Sequence, residues 1–247
     1  MPKDIAVTSL TLPSEKSSFS RKELFNYFIQ EKPELTQNSF KWLLADLIKN
    51  KCLYKISSDS YSTVPCSKDL YKPLYSDETT NLLLCLTEFY PEVKFVVFES
   101  FLLNEFVNHQ LGRNYIFLEV EKDGCEFVFD RIMSEFAGKV LLKPDQNQIL
   151  RYGSNDSIII DRLISESPKG KKEQYNLAIE KLIVDLFSNK RLQEMISLGD
   201  YPAALENMFT MYEVDQVKMF RYARRRNKET QLREFLKNKT EVELKVS

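Results

Sequence analysis

The 247-residue chain is 43% hydrophobic and 29% charged, a globular balance that excludes disordered, collagenous and coiled-coil classes. No run approaches the roughly 18 unbroken apolar residues of a membrane helix, and the N-terminal stretch lacks the basic start and apolar run of a signal peptide, so a cytoplasmic protein with no membrane partner is expected. The formal net charge of −1 hides three blocks, +3 over residues 1–75, −10 over 76–215 and +6 over 216–247, and blocks of opposite sign suggest separate surfaces for separate partners.

Segment 7–16 is poorly helical. Ser20-Arg21-Lys22-Glu23 is a capping box, in which the serine hydroxyl and the glutamate carboxylate each accept from the other's backbone N–H. It opens a helix through Phe28 that buries Leu24, Phe25 and Phe28. Pro33 stops continuation, and Thr36 caps a second helix to about residue 50. There Phe40, Leu43, Leu44, Leu47 and Ile48 follow i, i+3, i+4, i+7, i+8 spacing and share one face.

The outer face holds Gln37, Asn38, Ser39, Lys41, Trp42, Ala45, Asp46 and Lys49. Amides and lysines near a helix N-terminus suit a major-groove reader, since Asn and Gln bond adenine edges and Lys reaches guanine or phosphate. Trp42, off the apolar stripe, either packs under the next segment or contacts sugar and phosphate. Two β-prone runs, 53–56 and 61–64, flank a glycine-free turn, Ser57-Ser58-Asp59-Ser60, in which Asp59 or a serine must take any positive φ. Two helices and a hairpin give the order of a winged helix over residues 1–75, with 65–76 as a linker bearing Pro65 and Pro73.

Residues 76–247 read as an α/β (α+β) domain on a mixed sheet with a helical C-terminal extension. Its expected elements are a helix over 78–89, a strand over 94–99, a helix over 101–111 and strands over 115–121 and 126–129. A helix over 130–136 and strands over 139–142 and 158–160 complete the alternation. Beyond the loop Pro168-Lys169-Gly170 everything reads as helical, opening on the stripe Ile179, Leu182, Ile183 and Leu186. Arg221, Arg224 and Arg225 share a helix face, with Arg226 projecting away. Such a cluster needs carboxylates or phosphates opposite it, from the acidic middle region or from a partner.

Cys52, Cys66, Cys85 and Cys125 include no C-x-x-C pair, and His109 is the single histidine; no metal site is expected. A triad would rest on His109 alone, in a stretch where a core or capping role is favoured over catalysis. No dinucleotide fingerprint, P-loop or H-E-x-x-H occurs, so no cofactor and no enzymatic activity are expected.

Phe19-Ser20-Arg21-Lys22-Glu23-Leu24, Ser39-Phe40-Lys41-Trp42-Leu43-Leu44-Ala45-Asp46-Leu47 and Phe98-Glu99-Ser100-Phe101-Leu102-Leu103-Asn104-Glu105-Phe106, in that order, resemble the AbiEi-type antitoxins of type IV toxin–antitoxin (abortive infection) systems. Ile164-Ser165-Glu166-Ser167-Pro168, Glu180-Lys181-Leu182-Ile183-Val184-Asp185 and Arg221-Tyr222-Ala223-Arg224-Arg225-Arg226 extend the resemblance along most of the chain. It implies a phage-defence antitoxin that represses its own operon through the winged helix, with a homodimer on operator DNA. The C-terminal domain would neutralise a co-encoded nucleotidyltransferase-like toxin without needing a stable complex. It implies Gln37, Asn38, Lys41 and Trp42 on the recognition helix, with Arg21 and Lys22 touching phosphate; Ser20, Thr36 and Lys55 complete the expected DNA-binding residues. Two alternatives stay open. A metal-dependent nuclease could use Glu99 with Glu119, Glu121 and Lys122, an acidic-x-Lys pattern at strand ends. A non-catalytic docking module could use Arg221, Arg224, Arg225 and Arg226 against an acidic protein.

Overall fold

The computed structural model describes residues 18–56, 59–65, 67–170, 173, 175–197 and 199–244. The expected poorly helical segment 7–16 lies outside them, as do Cys66 and the turn residues Ser57 and Ser58. The chain forms two compact units, Met1–Asp69 and Leu70–Ser247. The break falls before the expected 75/76 boundary because Tyr71 and Tyr75 pack with the second unit. The Tyr71 ring lies 4.9 Å from that of Tyr212, and the Tyr75 hydroxyl donates to the Val97 carbonyl at 2.9 Å while accepting from Leu177 N at 3.1 Å.

In the first unit β1 (Ser18–Ser20) leads into α1 (Arg21–Glu31), then α2 (Gln37–Lys49), β2 (Tyr54–Lys55) and β3 (Ser60–Ser62). Both arms of the capping box form: Ser20 Oγ accepts from Glu23 N at 3.2 Å, and Glu23 Oε2 accepts from Ser20 N at 2.7 Å. The antiparallel sheet has the order β1-β3-β2. Leu24, Phe28, Phe40, Leu43, Leu44, Leu47, Leu53 and Tyr61 are buried together, each large apolar side chain contributing about 1.5–3 kcal/mol. After α2 the chain reverses through Lys51 at φ 57°, with Cys52 N donating to the Leu47 carbonyl at 2.9 Å. A lysine thus holds the left-handed position that usually falls to glycine.

The second unit is mixed α/β. Its sheet has the order β4-β5-β7-β6, from β4 (Phe95–Glu99), β5 (Tyr115–Val120), β6 (Val140–Leu142) and β7 (Ser157–Arg162). β4 and β5 are antiparallel, whereas β7 runs parallel to both β5 and β6. Alternation divides the side chains between two cores. Val97, Ile116, Leu118, Ile158 and Ile160 pack with α3 (Asp77–Phe89) and α4 (Cys125–Glu135). Val96, Phe98, Phe117 and Ile159 face α5 (Gln146–Tyr152), α6 (Ile179–Ser188), α7 (Lys190–Met195), α8 (Tyr201–Met211), α9 (Gln216–Arg225) and α10 (Glu229–Lys239).

Two expected elements are corrected. Residues 126–129, read as a strand, belong to α4: Cys125, Val128 and Ile132 are buried at helical spacing, so the helix begins directly after Gly124. The helix expected over 101–111 is only a 3₁₀ stretch, Ser100–Glu105. The chain leaves it through a loop in which the Asn104 side-chain oxygen accepts from Leu111 N at 2.7 Å. His109 consequently sits exposed in that loop, neither core nor cap.

Candidate functional site

In the first unit, α2 starts where Thr36 Oγ1 accepts from Ser39 N at 3.2 Å. Its apolar stripe fixes the helix's rotation against α1 and the sheet. Gln37, Asn38, Lys41, Ala45 and Lys49 are therefore exposed, and Trp42 is 76% exposed; Trp42 does not pack under the next segment. Lys22 is also exposed, while Ser20 and Thr36 are engaged as caps. Arg21 is turned to its own unit, its guanidinium 5.8 Å from the Phe40 ring centroid. Burial raises the Tyr61 hydroxyl pKa, and Arg21 opposes that shift. Lys55 is half-buried on β2.

In the second unit, the carboxylates expected to act together lie on opposite faces of the sheet. Glu99 shares a face with Val97, because side chains alternate along β4, and is buried. It accepts from Ser76 N at 2.8 Å, Ser76 Oγ at 2.7 Å, Thr79 Oγ1 at 2.7 Å and Asn114 Nδ2 at 3.3 Å. Three of these donors sit at the start of α3, where the helix dipole favours an anion, and Asn114 just before β5 supplies the fourth, which makes Glu99 a helix anchor. Glu121 Oε1 accepts from Lys94 N at 3.0 Å, and Lys122 is exposed. The pattern Glu99, Glu119, Glu121 and Lys122 is therefore not brought together.

The opposite face holds a charged cluster. Glu119 and Asp161 are register partners near the carboxyl ends of the central parallel strands β5 and β7, the end of an α/β sheet where ligands commonly bind. Here α6 covers that end. Lys181 is buried and pairs with Glu119 at 2.9 Å and with Asp185. Asp185 also accepts from the Tyr222 hydroxyl at 2.9 Å and lies 3.8 Å from Arg226 Nε. Arg191 pairs with Asp161 at 2.5 Å and donates to the Pro144 carbonyl.

Burial raises the Glu119 pKa, outweighing Lys181, and raises that of Asp161 against Arg191. Burial alone would lower the Lys181 pKa, but Asp185 and Glu119 outweigh it and keep the ammonium charged. Each charge thus has an opposite one beside it, the arrangement of an internal lock more than of a reactive centre. Among the described residues no group of three or more His, Cys, Asp or Glu side chains is placed to hold a metal.

Residues 39–242 match the model of a family of unknown function, DUF6577. The chain belongs to that family. No curated protein matches it. The DUF6577 match takes in Lys41, Trp42, the charged cluster and the arginine-rich helix; Ser20, Arg21, Lys22, Thr36, Gln37 and Asn38 precede it.

Within the DUF6577 region the four arginines separate. Arg221 is exposed, and Arg224, its side chain 74% exposed, pairs with Glu229 at 2.6 Å. Arg225 Nε donates to Ser165 Oγ at 2.5 Å. Arg226, expected to project away from the others, instead turns inward, its Nε donating to Ser188 Oγ at 3.0 Å near Asp185. The middle region therefore supplies a carboxylate to Arg226, while Arg224 takes its own from the C-terminal block. Sequence reading missed Lys181 and Asp185. Their signal is an ion pair at i, i+4 inside an apolar helix, which resembles a solvated pair until α9 is known to cover it.

Proposed function

We propose that the protein acts in the cytoplasm as a sequence-specific DNA-binding regulator and as the antitoxin of a type IV toxin–antitoxin operon. One observation carries the reading: α2 buries its apolar stripe and turns Gln37, Asn38, Lys41 and Trp42 outward. That is the chemistry of a major-groove recognition helix. The strand order β1-β3-β2 beside it suits a winged helix, with Lys22 and Lys55 flanking the groove. The resemblance to AbiEi-type antitoxins supports the same reading. A homodimer would place two such helices on an inverted repeat and double a modest positive charge.

The second unit would neutralise a co-encoded nucleotidyltransferase-like toxin, and Arg221, with Arg224 and Arg225 on the same helix, offers an exposed cationic face for it or its nucleic-acid partner. Gel shift with DNA upstream of the gene tests the first half; retention of a repeat-containing fragment over a scrambled one is expected. Co-expression of residues 70–247 with the neighbouring toxin tests the second. A soluble, folded fragment that fails to rescue growth would overturn it.

A further inference from the structure

We infer that Trp42 is a specificity-determining residue that reads the C5 methyl group of thymine in the major groove of duplex DNA. This rests on the DNA-binding reading above and adds a base atom to it. Trp42 is the single tryptophan of the sequence, and its 76% exposure leaves a large ring in water on a helix whose other large apolar side chains are buried or half-buried. Around it the face is polar. Asn38 lies one turn before it, Lys41 and Lys49 bring positive charge, and Ala45 one turn on adds only a methyl group. The carboxylate on this side, Asp46, is half-buried and accepts from Asn50 Nδ2 at 3.2 Å.

A protein-binding face would present a patch of several apolar side chains. One indole among amides and lysines matches a different surface. The major groove offers donors and acceptors edged by phosphates, and the thymine methyl is its one apolar group. Asn38 is placed by helical spacing on the same face as Trp42, and an amide of that kind pairs with N6 and N7 of adenine. The face therefore fits a step in which an adenine edge lies next to a thymine methyl, with Lys41 toward phosphate or guanine.

The test uses the full-length chain and duplexes it enriches from a randomised library, each then synthesised with thymine and with uracil, which lacks only the methyl. Uracil is expected to weaken binding about fourfold per contacted methyl, the equivalent of about 0.8 kcal/mol. The emission of the lone tryptophan should change on binding, Trp42→Ala should abolish the thymine–uracil difference, and Trp42→Phe should retain part of it. Equal binding of the two duplexes by the native protein, or an undiminished difference in Trp42→Ala, overturns the inference while leaving DNA binding intact. Failure to enrich any duplex overturns the DNA-binding reading and this inference with it.

Discussion

Replacing Lys181 with methionine keeps most of the side chain's volume and removes its charge from between Glu119 and Asp185. Among the described residues Asp185 then keeps the Tyr222 hydroxyl at 2.9 Å and Arg226 at 3.8 Å, and Glu119 loses the ammonium it pairs with. Breaking a buried ion pair by deleting one partner costs about 3–5 kcal/mol, because the other charge stays desolvated. Two features favour the lower end. Arg226 supplies partial compensation, and Glu119, whose pKa burial already raises, can take up a proton. That proton costs about 1.4 kcal/mol for each pH unit above the pKa, so the loss should be about 3 kcal/mol at pH 8 and smaller at pH 5.

Urea unfolding followed by far-UV circular dichroism measures it, while the emission of Trp42 follows the first unit separately. For a unit of this size the same loss lowers Tm by roughly 6–12 °C. Replacing Glu119 with methionine and Asp185 with leucine alongside Lys181→Met should recover most of it, since a well-packed apolar cluster of similar volume can match a buried ion-pair triad. A loss below about 1 kcal/mol at pH 8, or one that does not shrink on acidification, would refute the reading of these groups as a mutually dependent lock.

Glu119→Gln should flatten part of the pH dependence. The folded state holds the Glu119 proton more tightly than the unfolded chain does, so the native protein loses stability as pH rises from about 4.5 through the raised pKa. Denaturant melts across that window should show a shallower slope in the variant, with Asp161, shifted the same way, supplying the remainder. Glu99→Gln gives up one acceptor oxygen, so its amide nitrogen must face either Ser76 N or Asn114 Nδ2, both donors, and the change should cost about 2 kcal/mol, read as a fall in Tm. Asn38→Ala with Lys41→Ala should leave the melting curve unchanged, both being exposed, and weaken operator binding by about 1–3 kcal/mol in a gel shift. Replacing Arg221, Arg224 and Arg225 by Gln should change Tm little; rescue from the toxin should fall, and full rescue would sink that surface's role.

Where local chemistry decides the outcome, the sequence was readable. The Ser20–Glu23 box, the Phe40–Ile48 stripe and the strands centred on Val97, Leu118 and Ile159 need only nearest-neighbour spacing to be recognised. It misled where an apolar run fits two periods, as in Glu126-Phe127-Val128-Phe129, whose buried neighbours Cys125 and Ile132 settle it as helix. At 101–111 the density of apolar residues suggested a helix, but Asn104 turns its side chain to close a loop. The polar face of α2 could be read because it needs only one helix. The Lys181 cluster could not, because it joins α6, α9 and β5 across the acidic and basic charge blocks.

That dependence bears on how the chain is made. Tyr222 and Arg226, which complete the surroundings of Asp185, are synthesised after every strand of the second sheet. Until α9 has left the ribosome, α6 must carry Lys181 and Asp185 without Tyr222 and Arg226 beside them, and the side of α6 on which α9 packs is uncovered. The second unit therefore closes late in synthesis, and a chain stopped short of residue 216 would expose both a charged pair and the apolar side of α6. Such a fragment would be a substrate for chaperones or proteases.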